Sequence, residues 1–212
     1  MPDSSNHADD NVPRPVGRPR GFDADVILDQ AVELFWKRGY QSTTTRDLES
    51  ALGLTQSSIY NTFGSKQQLF EAALDRYESM TADVLLIPLE QSEEGLAAVD
   101  AFFVTLKDWV THKGRRGCML VNMMAENGSA TPEISKRCQA YQQRVSSGLR
   151  AALSRASNDA ELDCNVDVDE ASELLIGLVL GLNIAARGGA SDQELGSMLK
   201  AIRTQLRNWR TP

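Results

Sequence analysis

Residues 44–66 read TTRDLESALGLTQSSIYNTFGSK and predict two short helices joined by a tight turn. Thr44 can cap the first helix by accepting a hydrogen bond from the backbone N–H of Asp47, an acid in the positive first turn. Gly53 supplies the backbone freedom that the turn needs, and Thr55 can cap the second helix. The apolar side chains expected on the inner faces are Leu48, Ala51, Leu52, Leu54, Ile59 and Phe63. The stretch therefore predicts a helix-turn-helix.

The outward face of the second predicted helix carries short or flat hydrogen-bonding side chains. These are Gln56, Ser57, Tyr60 and Asn61. Because such groups reach base edges and phosphates in DNA grooves, we interpret this helix as a recognition helix. The alternative is a small helical core, or a helix-turn-helix that contacts another protein.

The same residues carry a family resemblance. Roughly residues 20–75 resemble the DNA-binding domain of the TetR family of bacterial transcriptional regulators (TetR/AcrR-like), and the rest agrees in length and helical pattern. The matching order runs through Gly39-Tyr40, Thr44-Thr45-Arg46-Asp47-Leu48, Gly53-Leu54-Thr55, Ile59-Tyr60, Phe63-Gly64-Ser65-Lys66 and Leu69. Ser57-Ser58 departs from the Gly or Pro, then Thr or Ser, that is more frequent in the family, and this affects the expected base preference rather than the fold.

The expected DNA contacts fall into two groups: base or groove contacts from Arg46, Gln56, Ser57 and Asn61, and phosphate contacts from Thr44, Thr45, Tyr60 and Lys66. Lys66 falls in the first turn of the next predicted helix, where a cation opposes the helix dipole. A bound phosphate would relieve that local cost, so Lys66 is expected to contact the DNA backbone. The alternative is an ordinary exposed lysine.

Residues 1–21 are interpreted as a flexible arm that ends in the basic run RPVGRPRG. The prolines keep this run extended, so Arg18 and Arg20 can enter a narrow minor groove, where the negative potential of DNA is enhanced. The alternative is a solvated basic tail that adds only non-specific attraction.

The chain has 212 residues, 42% of them hydrophobic, and a formal net charge of −7. This composition predicts a folded protein and argues against one that coats nucleic acid indiscriminately. Between residues 14 and 66, seven basic residues accompany six acidic ones, so DNA binding would rest on a few placed cations and would depend on salt. No membrane-spanning run or signal peptide is evident, and three separated cysteines suit a reducing compartment. We therefore expect a cytoplasmic protein with no membrane partner.

The remaining sequence has helical periodicity without the alternation of strands, which predicts an all-α fold. We expect an N-terminal three-helix bundle that contains the helix-turn-helix, at residues 22–66, and a larger helical domain for effector binding and dimerisation, at residues 67–212. A helix from Lys66 to about Ile87, stopped by Pro88, would bridge the two. Trp36, in the first helix, is interpreted as a packing residue.

An apolar cavity in the larger domain is the first candidate ligand site. Methionine adapts to irregular partners, and aromatic walls with a few polar groups suit small organic molecules. The resemblance also implies an effector pocket in this half. The expected lining is Phe102, Phe103, Leu106, Trp109, Cys118, Met119, Met123, Tyr141 and Gln142. The alternative is that these side chains form only the core.

A second candidate site is Arg115-Arg116-Gly117-Cys118. The thiolate of a cysteine at a helix N-terminus beside two arginines should be favoured by the helix dipole and by charge. Some TetR-like regulators with a similar Gly-Cys respond to electrophiles or oxidants, so a redox- or electrophile-sensing regulator that acts through Cys118 is an alternative function. The opposing interpretation of Cys118 is a small buried hydrophobe.

The last two predicted helices, at residues 167–187 and 192–210, are strongly amphipathic. Such faces suggest a homodimer built as a four-helix bundle, which would read the two half-sites of a palindromic operator. The expected interface consists of Leu174, Gly177, Leu178, Gly181, Leu199, Ile202 and Leu206. The alternative is internal packing only.

The sequence does not indicate catalytic or metal sites. The two histidines, His7 and His112, have no spacing to carboxylates that suits a metal, and no nucleophile setting or phosphate-binding glycine loop is evident. We expect no enzyme activity, no metal and no cofactor. The resemblance implies a repressor that a small organic effector releases from double-stranded DNA. A helical ligand carrier or enzyme with an incidental helix-turn-helix is the remaining alternative.

Overall fold

The computed structural model describes residues 23–125 and 132–211 of the chain. In these ranges the regular elements are helices, apart from an isolated bridge between Leu162 and Arg210, so the predicted all-α class is confirmed. The α-helices are α1 (Ala24–Arg38), α2 (Thr45–Leu52), α3 (Gln56–Phe63), α4 (Lys66–Thr81), α5 (Ile87–Gln91), α6 (Leu96–Arg115), α7 (Met119–Ala125), α8 (Pro132–Asn158), α9 (Val168–Arg187) and α10 (Asp192–Asn208). The predicted arm, with Arg18 and Arg20, lies outside the described residues.

Helices α1 to α4 enclose the N-terminal core. Asp23 caps α1 by accepting a hydrogen bond from the backbone N–H of Asp25 at 2.9 Å. Helix α4 packs along α1, and the core therefore extends past residue 66, where we expected the domain boundary. The buried side chains from these helices are Ile27, Ala31, Val32, Phe35, Trp36, Leu48, Leu52, Ile59, Leu69, Phe70, Ala73, Leu74 and Tyr77.

The helical backbone does not stop at Pro88, and that expectation is wrong. A π-helical segment, Ala82–Leu86, follows α4 and leads into α5, with Pro88 in the first turn of α5. In an α-helix the proline ring would clash with the carbonyl four residues earlier and would leave it without a donor. The wider π turn, in which the N–H of Ile87 bonds to the carbonyl of Ala82, accommodates the proline and continues the backbone to Gln91.

Helices α6, α8, α9 and α10, with α5 and the π segment beside them, form a second core. Its largest buried side chains include Leu86, Leu96, Phe103 and Leu106. Helix α7 belongs to the N-terminal core instead, through Met119, Leu120 and Met123, and so does Cys118 just before it. Trp109, Tyr141 and Leu180 pack against both cores, so the two units share a continuous interior.

None of the helices in the described ranges combines the length and the apolar character needed to cross a bilayer.

Candidate nucleic-acid interface

The predicted caps of the helix-turn-helix are confirmed. Thr44 and Asp47 form a capping box: the Asp47 N–H donates to Thr44 Oγ1 at 3.2 Å, and the Thr44 N–H donates to the Asp47 carboxylate at 2.9 Å. Gly53 ends α2 in the left-handed conformation, with φ at 64°. Thr55 Oγ1 accepts from the backbone N–H of Ser58 at 3.3 Å and so caps α3.

An arginine from α1 strengthens this capping box. Arg38 forms an ion pair with Asp47 at 2.5 Å. The pKa of the Asp47 carboxyl is lowered from its ordinary value, mainly because Thr44 donates hydrogen bonds to it and to a smaller degree because of Arg38. The pair ties the last residue of α1 to the first turn of α2.

Helix α3 presents the predicted polar side chains to solvent. Gln56, Ser57 and Asn61 are exposed, whereas Ile59 on the opposite side is fully buried. The half-buried hydroxyl of Tyr60 lies 3.2 Å from Thr45 Oγ1 on α2, which places two of the expected phosphate contacts side by side. Helix α3 therefore packs against the core through Ile59 and exposes its polar face to solvent.

The remaining helix-turn-helix residues mostly follow the expected pattern. Thr44 and Arg46 are exposed at the start of α2. The Gln56 backbone N–H donates to Glu49 Oε1 at 2.7 Å, which fixes the first turn of α3 against α2. Ala51, however, is exposed, and its expected inward position is wrong. In a helix of eight residues, the positions four apart, Leu48 and Leu52, fill the narrow inner stripe.

Lys66 lies at the N-terminus of α4 against an aromatic ring. Its Nζ is 4.4 Å from the centre of the Tyr40 ring, and partial burial lowers the pKa of its ammonium group. Ser65 caps α4 by accepting from the Gln68 N–H at 3.1 Å. The ring holds a cation beside a helix N-terminus, where anions are favoured. Tyr40 was not predicted to contact Lys66, although the Gly39-Tyr40 pair after α1 belongs to the family resemblance.

The residues expected to form the effector pocket divide between the two cores. Phe102, Phe103 and Leu106 lie in the second core, Cys118, Met119 and Met123 in the N-terminal core, and Trp109 and Tyr141 touch both. Tyr141 and Gln142 line a small apolar cleft between α7, α8 and α9. The other walls of this cleft are Val121, Met124, Val145, Ile176, Val179 and Leu180.

Tyr77 is a centre of polar contacts that sequence reasoning missed. Its fully buried hydroxyl accepts from the Met119 backbone N–H at 3.0 Å and from Trp109 Nε1 at 3.4 Å. The hydroxyls of Tyr77 and Tyr141 act to lower the pKa of the neighbouring Cys118 thiol, against the larger effect of burial. A tyrosine in the apolar stripe of a long helix gives no local sign of such partners.

The structure favours the second interpretation of Cys118, a small buried hydrophobe. The side chain is 2% exposed, and burial raises the pKa of its thiol. Arg116 is directed elsewhere: its Nη1 lies 2.6 Å from Glu33 Oε2, and its guanidinium lies 5.7 Å from the centre of the Trp36 ring. Desolvation therefore outweighs the dipole and charge effects that the local sequence suggested.

The predicted dimer residues differ in exposure. Leu174 is 47% exposed, and a side chain at Gly177 would meet open space. Leu178, Gly181 and Leu199 are half-buried. Ile202 and Leu206 are buried in the chain's own core. The expectation that they face a partner subunit is therefore wrong, and they pack within the chain. Ile184, which was not predicted, is 60% exposed on α9.

In residues 23–125 and 132–211, no group of three His, Cys, Asp or Glu side chains is placed to hold a metal ion.

A capped helix-turn-helix whose second helix exposes a polar face defines a DNA-binding protein of the helix-turn-helix class. Residues 27–73 match the family described as bacterial regulatory proteins, tetR family, and residues 95–210 match the tetracyclin repressor-like, C-terminal domain. The chain belongs to the TetR family and is a DNA-binding transcriptional regulator.

Named relatives of the chain are also transcriptional regulators. It is 32% identical over 206 residues to the HTH-type transcriptional repressor ComR of Escherichia coli (strain K12), covering 93% of this chain and 94% of ComR. It is 24% identical over 182 residues to the HTH-type transcriptional repressor AcnR of Corynebacterium efficiens, covering 85% and 90%. Among solved structures it resembles a cysteine-substituted variant of the TetR family regulator CifR bound to 26-base-pair double-strand operator DNA. The TM-score is 0.76 and the sequence identity is 25%, and the match covers 91% of this chain and 100% of the CifR chain.

Proposed function

We propose that this protein is a repressor that binds a palindromic operator as a homodimer and leaves it when a small organic effector binds. The observation that carries the proposal is the face of α3, where Gln56, Ser57 and Asn61 are exposed and the helix is anchored by buried Ile59. A polar helix face of this kind, fixed by its neighbours, suits direct readout in the major groove. The similarity to ComR, a transcriptional repressor, supports repression rather than activation by this protein.

A second copy of this chain is the proposed occupant of the apolar stripe on α9. Leu174, Gly177, Gly181 and Ile184 follow one another at helical spacing, and the side chains of Leu174 and Ile184 are 47% and 60% exposed. Two α9 helices that pack through this stripe, with the neighbouring α10 helices, would form a four-helix bundle. The resulting two-fold symmetry would present two α3 helices to the two half-sites of a palindrome.

The proposed effector site is the apolar cleft between α7, α8 and α9. The cleft encloses only about 10 Å³, so a mainly apolar ligand would have to widen it by moving α7 away from α9. Helix α7 also packs in the N-terminal core, so a ligand that separates α7 from α9 would disturb the DNA-binding unit. A ligand that favours this separated state over the DNA-bound state would lower operator affinity. We infer that the protein acts by binding, in the cytoplasm, without a cofactor or a catalytic step.

The proposal is tested by titrating the protein with DNA that flanks its own gene, at low and moderate salt. We expect saturable binding by the wild type and a loss of sequence preference in a Gln56→Ala, Asn61→Ala double variant, since both side chains are exposed and the fold should persist. Equal binding to every duplex by the wild type would overturn operator recognition.

Dimerisation is tested separately by sedimentation equilibrium. Ile184→Glu places a charge in the proposed interface and should yield a monomer. Val84→Glu changes another exposed apolar residue, 42% exposed on the π segment, and should leave the dimer intact. A dimer that tolerates Ile184→Glu would contradict the proposed interface.

A further inference from the structure

The carbonyl end of α1 receives an arginine from α9. Arg187 Nη1 donates to the backbone carbonyl of Trp36 at 3.2 Å and to that of Lys37 at 3.4 Å. The last four carbonyls of an α-helix have no partner within the helix, and a cation there also complements the negative end of the helix dipole. Arg187 thus supplies a cap for α1 from a helix that is distant in sequence.

The side chain of Trp36 is held by the loop between α6 and α7. Its Nε1 donates to the Gly117 carbonyl at 2.8 Å in a buried contact. Its ring stacks on the ring of Trp109, with 6.0 Å between ring centres. It also packs edge-to-face with the ring of Tyr77, with 5.1 Å between ring centres. The end of α1 is therefore fixed by α9 through its backbone and by the α6–α7 loop through its indole.

The same loop is pressed against α9. Gly117 has a φ of 65°, and a Cβ at this position would lie 2.7 Å from the Asn183 carbonyl oxygen, so the close approach requires glycine. The Cys118 backbone N–H donates to Asn183 Oδ1 at 2.6 Å, and Asn183 Nδ2 donates to the Val179 carbonyl. Asn183 and Arg187 are one turn apart on α9. One turn of this helix therefore contacts both the loop and the end of α1.

This turn of α9 adjoins the exposed apolar stripe of the same helix. Ile184 lies between Asn183 and Arg187 in sequence and is 60% exposed. If α9 packs on its symmetry mate, as the proposed function requires, the helix at the dimer axis is joined directly to the DNA-binding unit. No flexible connection separates these two contacts, since both belong to one helix.

We infer that Arg187 is a positioning residue that fixes the angle between the DNA-binding unit and the dimer axis, and so determines which half-site spacing the dimer accepts. The inference rests on the proposed homodimer and operator. Half-sites for paired recognition helices are separated by about 34 Å or multiples of it, and each added base pair changes this separation by about 3.4 Å. A unit that rotates at the end of α1 would let two α3 helices follow such changes.

The location of the contact indicates how its loss would act. Arg187 is exposed and bonds to the end of α1, while Trp36, Trp109 and Tyr77 keep the buried part of the junction in place. Removing the guanidinium should therefore leave the fold, the dimer and each half-site contact intact. What should change is the range of angles that the DNA-binding unit samples.

The test compares four full-length proteins: the wild type, Arg187→Met, Arg187→Lys and Arg203→Met. Methionine keeps much of the apolar stem without a donor, and lysine restores a cationic donor. Arg203, an exposed arginine on α10 that pairs with Asp100 at 2.7 Å, is the matched control. The probes are the tightest duplex that the wild type selects from a random pool, the same duplex with one or two base pairs inserted at its centre, and a duplex with a single half-site.

We expect Arg187→Met to reduce the ratio of affinities for the selected and lengthened duplexes about fivefold, the lower end of typical coupling effects, with unchanged affinity for the single half-site. Arg187→Lys and Arg203→Met should keep the wild-type ratio. An unchanged ratio in Arg187→Met would overturn the inference. Loss of the dimer or of thermal stability in that variant would also overturn it, because Arg187 would then be a structural residue.

A second readout does not depend on DNA. Spin labels at Ser50→Cys on exposed α2, in a Cys164→Ser background, would report the distance between the two DNA-binding units of the dimer. Arg187→Met should broaden this distance distribution, and an unchanged width would contradict the inference. A wild type that is monomeric or selects no duplex would instead refute the proposed function, so the two failures are distinguishable.

Discussion

The indole Nε1 of Trp36 donates a hydrogen bond to the backbone carbonyl of Gly117, 81 positions later in the chain, at 2.8 Å. The contact is buried and joins α1 of the DNA-binding unit to the loop that leads into α7. Helix α7 also forms one wall of the proposed effector cleft, through Val121 and Met124. Trp36 thus lies on a short path between the cleft and the helix-turn-helix.

Replacing Trp36 with phenylalanine should lower the free energy of unfolding. The ring contacts largely persist, but the buried Gly117 carbonyl loses its donor, which typically costs about 1–3 kcal/mol. Denaturant unfolding of Trp36→Phe and of Trp209→Phe would separate this effect from the loss of ring size, since Trp209 is also nearly buried. Equal costs for the two substitutions would argue against a specific role of the Gly117 contact.

Lys66→Ala should weaken binding to all duplexes alike. If the ammonium contacts one phosphate, the slope of log affinity against log salt concentration should fall by about 0.9. Lys200→Ala, which removes an exposed lysine on α10, should leave both affinity and slope unchanged. A Lys66→Ala protein with the wild-type slope would show that Lys66 is not a phosphate contact.

Asn61→Ala should relax discrimination at one base position in each half-site. A bidentate contact between an amide and a base is worth about 1–3 kcal/mol of discrimination. The affinity of the Asn61→Ala protein for one single-base operator variant should therefore rise relative to its affinity for the original operator. Binding to a set of single-base variants measures this, with Gln67→Ala on α4 as control because that exposed amide bonds to Glu71. A uniform loss across the whole set would indicate a backbone contact instead.

The three cysteines should react with a maleimide in the order of their exposure. Cys164 is exposed, whereas Cys118 and Cys138 are buried and burial raises the pKa of both thiols. In the native protein Cys164 should be labelled first, and the other two only on unfolding. Mass spectrometry of labelled peptides gives the order. Fast labelling of Cys118, with loss of DNA binding, would restore the electrophile-sensing alternative.

The Cys138 thiol should make stability depend on alkaline pH. Burial raises its pKa from 9.0 to about 11, so between these values the unfolded chain has lost this proton while the folded chain keeps it. The unfolded state then binds fewer protons, and stability falls as pH rises. The difference in unfolding free energy between the wild type and Cys138→Ala should shrink from about pH 9 to about pH 11. A difference that is constant over this range would contradict the assignment.

Features set by neighbouring residues were predictable from the sequence. Thr44, Gly53 and Thr55 act through partners within a few positions, and the structure has the caps and turn that their types require. The exposure of the polar face of α3 follows from the same short-range pattern, because burying Ile59 directs Gln56, Ser57 and Asn61 outward.

Features set by distant partners were not predictable. The local sequence of Cys118, at a helix N-terminus beside two arginines, favours a thiolate. The pKa of its thiol is set instead mainly by burial, with Tyr77 and Tyr141 from other helices beside it. The sequence around Trp36 does not indicate that its indole donates a hydrogen bond to Gly117 or that Arg187 donates one to its backbone carbonyl.

Amphipathic patterns also left the apolar partners undetermined. The periodicity of α10 shows that Ile202 and Leu206 share a face, but it does not show whether that face meets the same chain or a second one. The cleft that includes Tyr141 was likewise only partly predicted, because its other walls come from α7 and α9.

Recognition of DNA by two symmetric α3 helices is tested most directly by a hydroxyl-radical footprint of the wild-type protein on its selected duplex at low ionic strength. We expect two protected patches related by two-fold symmetry and separated by about one helical turn, roughly 34 Å, or a multiple of it. A single protected patch, or no saturable protection, would contradict the claim that two α3 helices read the grooves of DNA together.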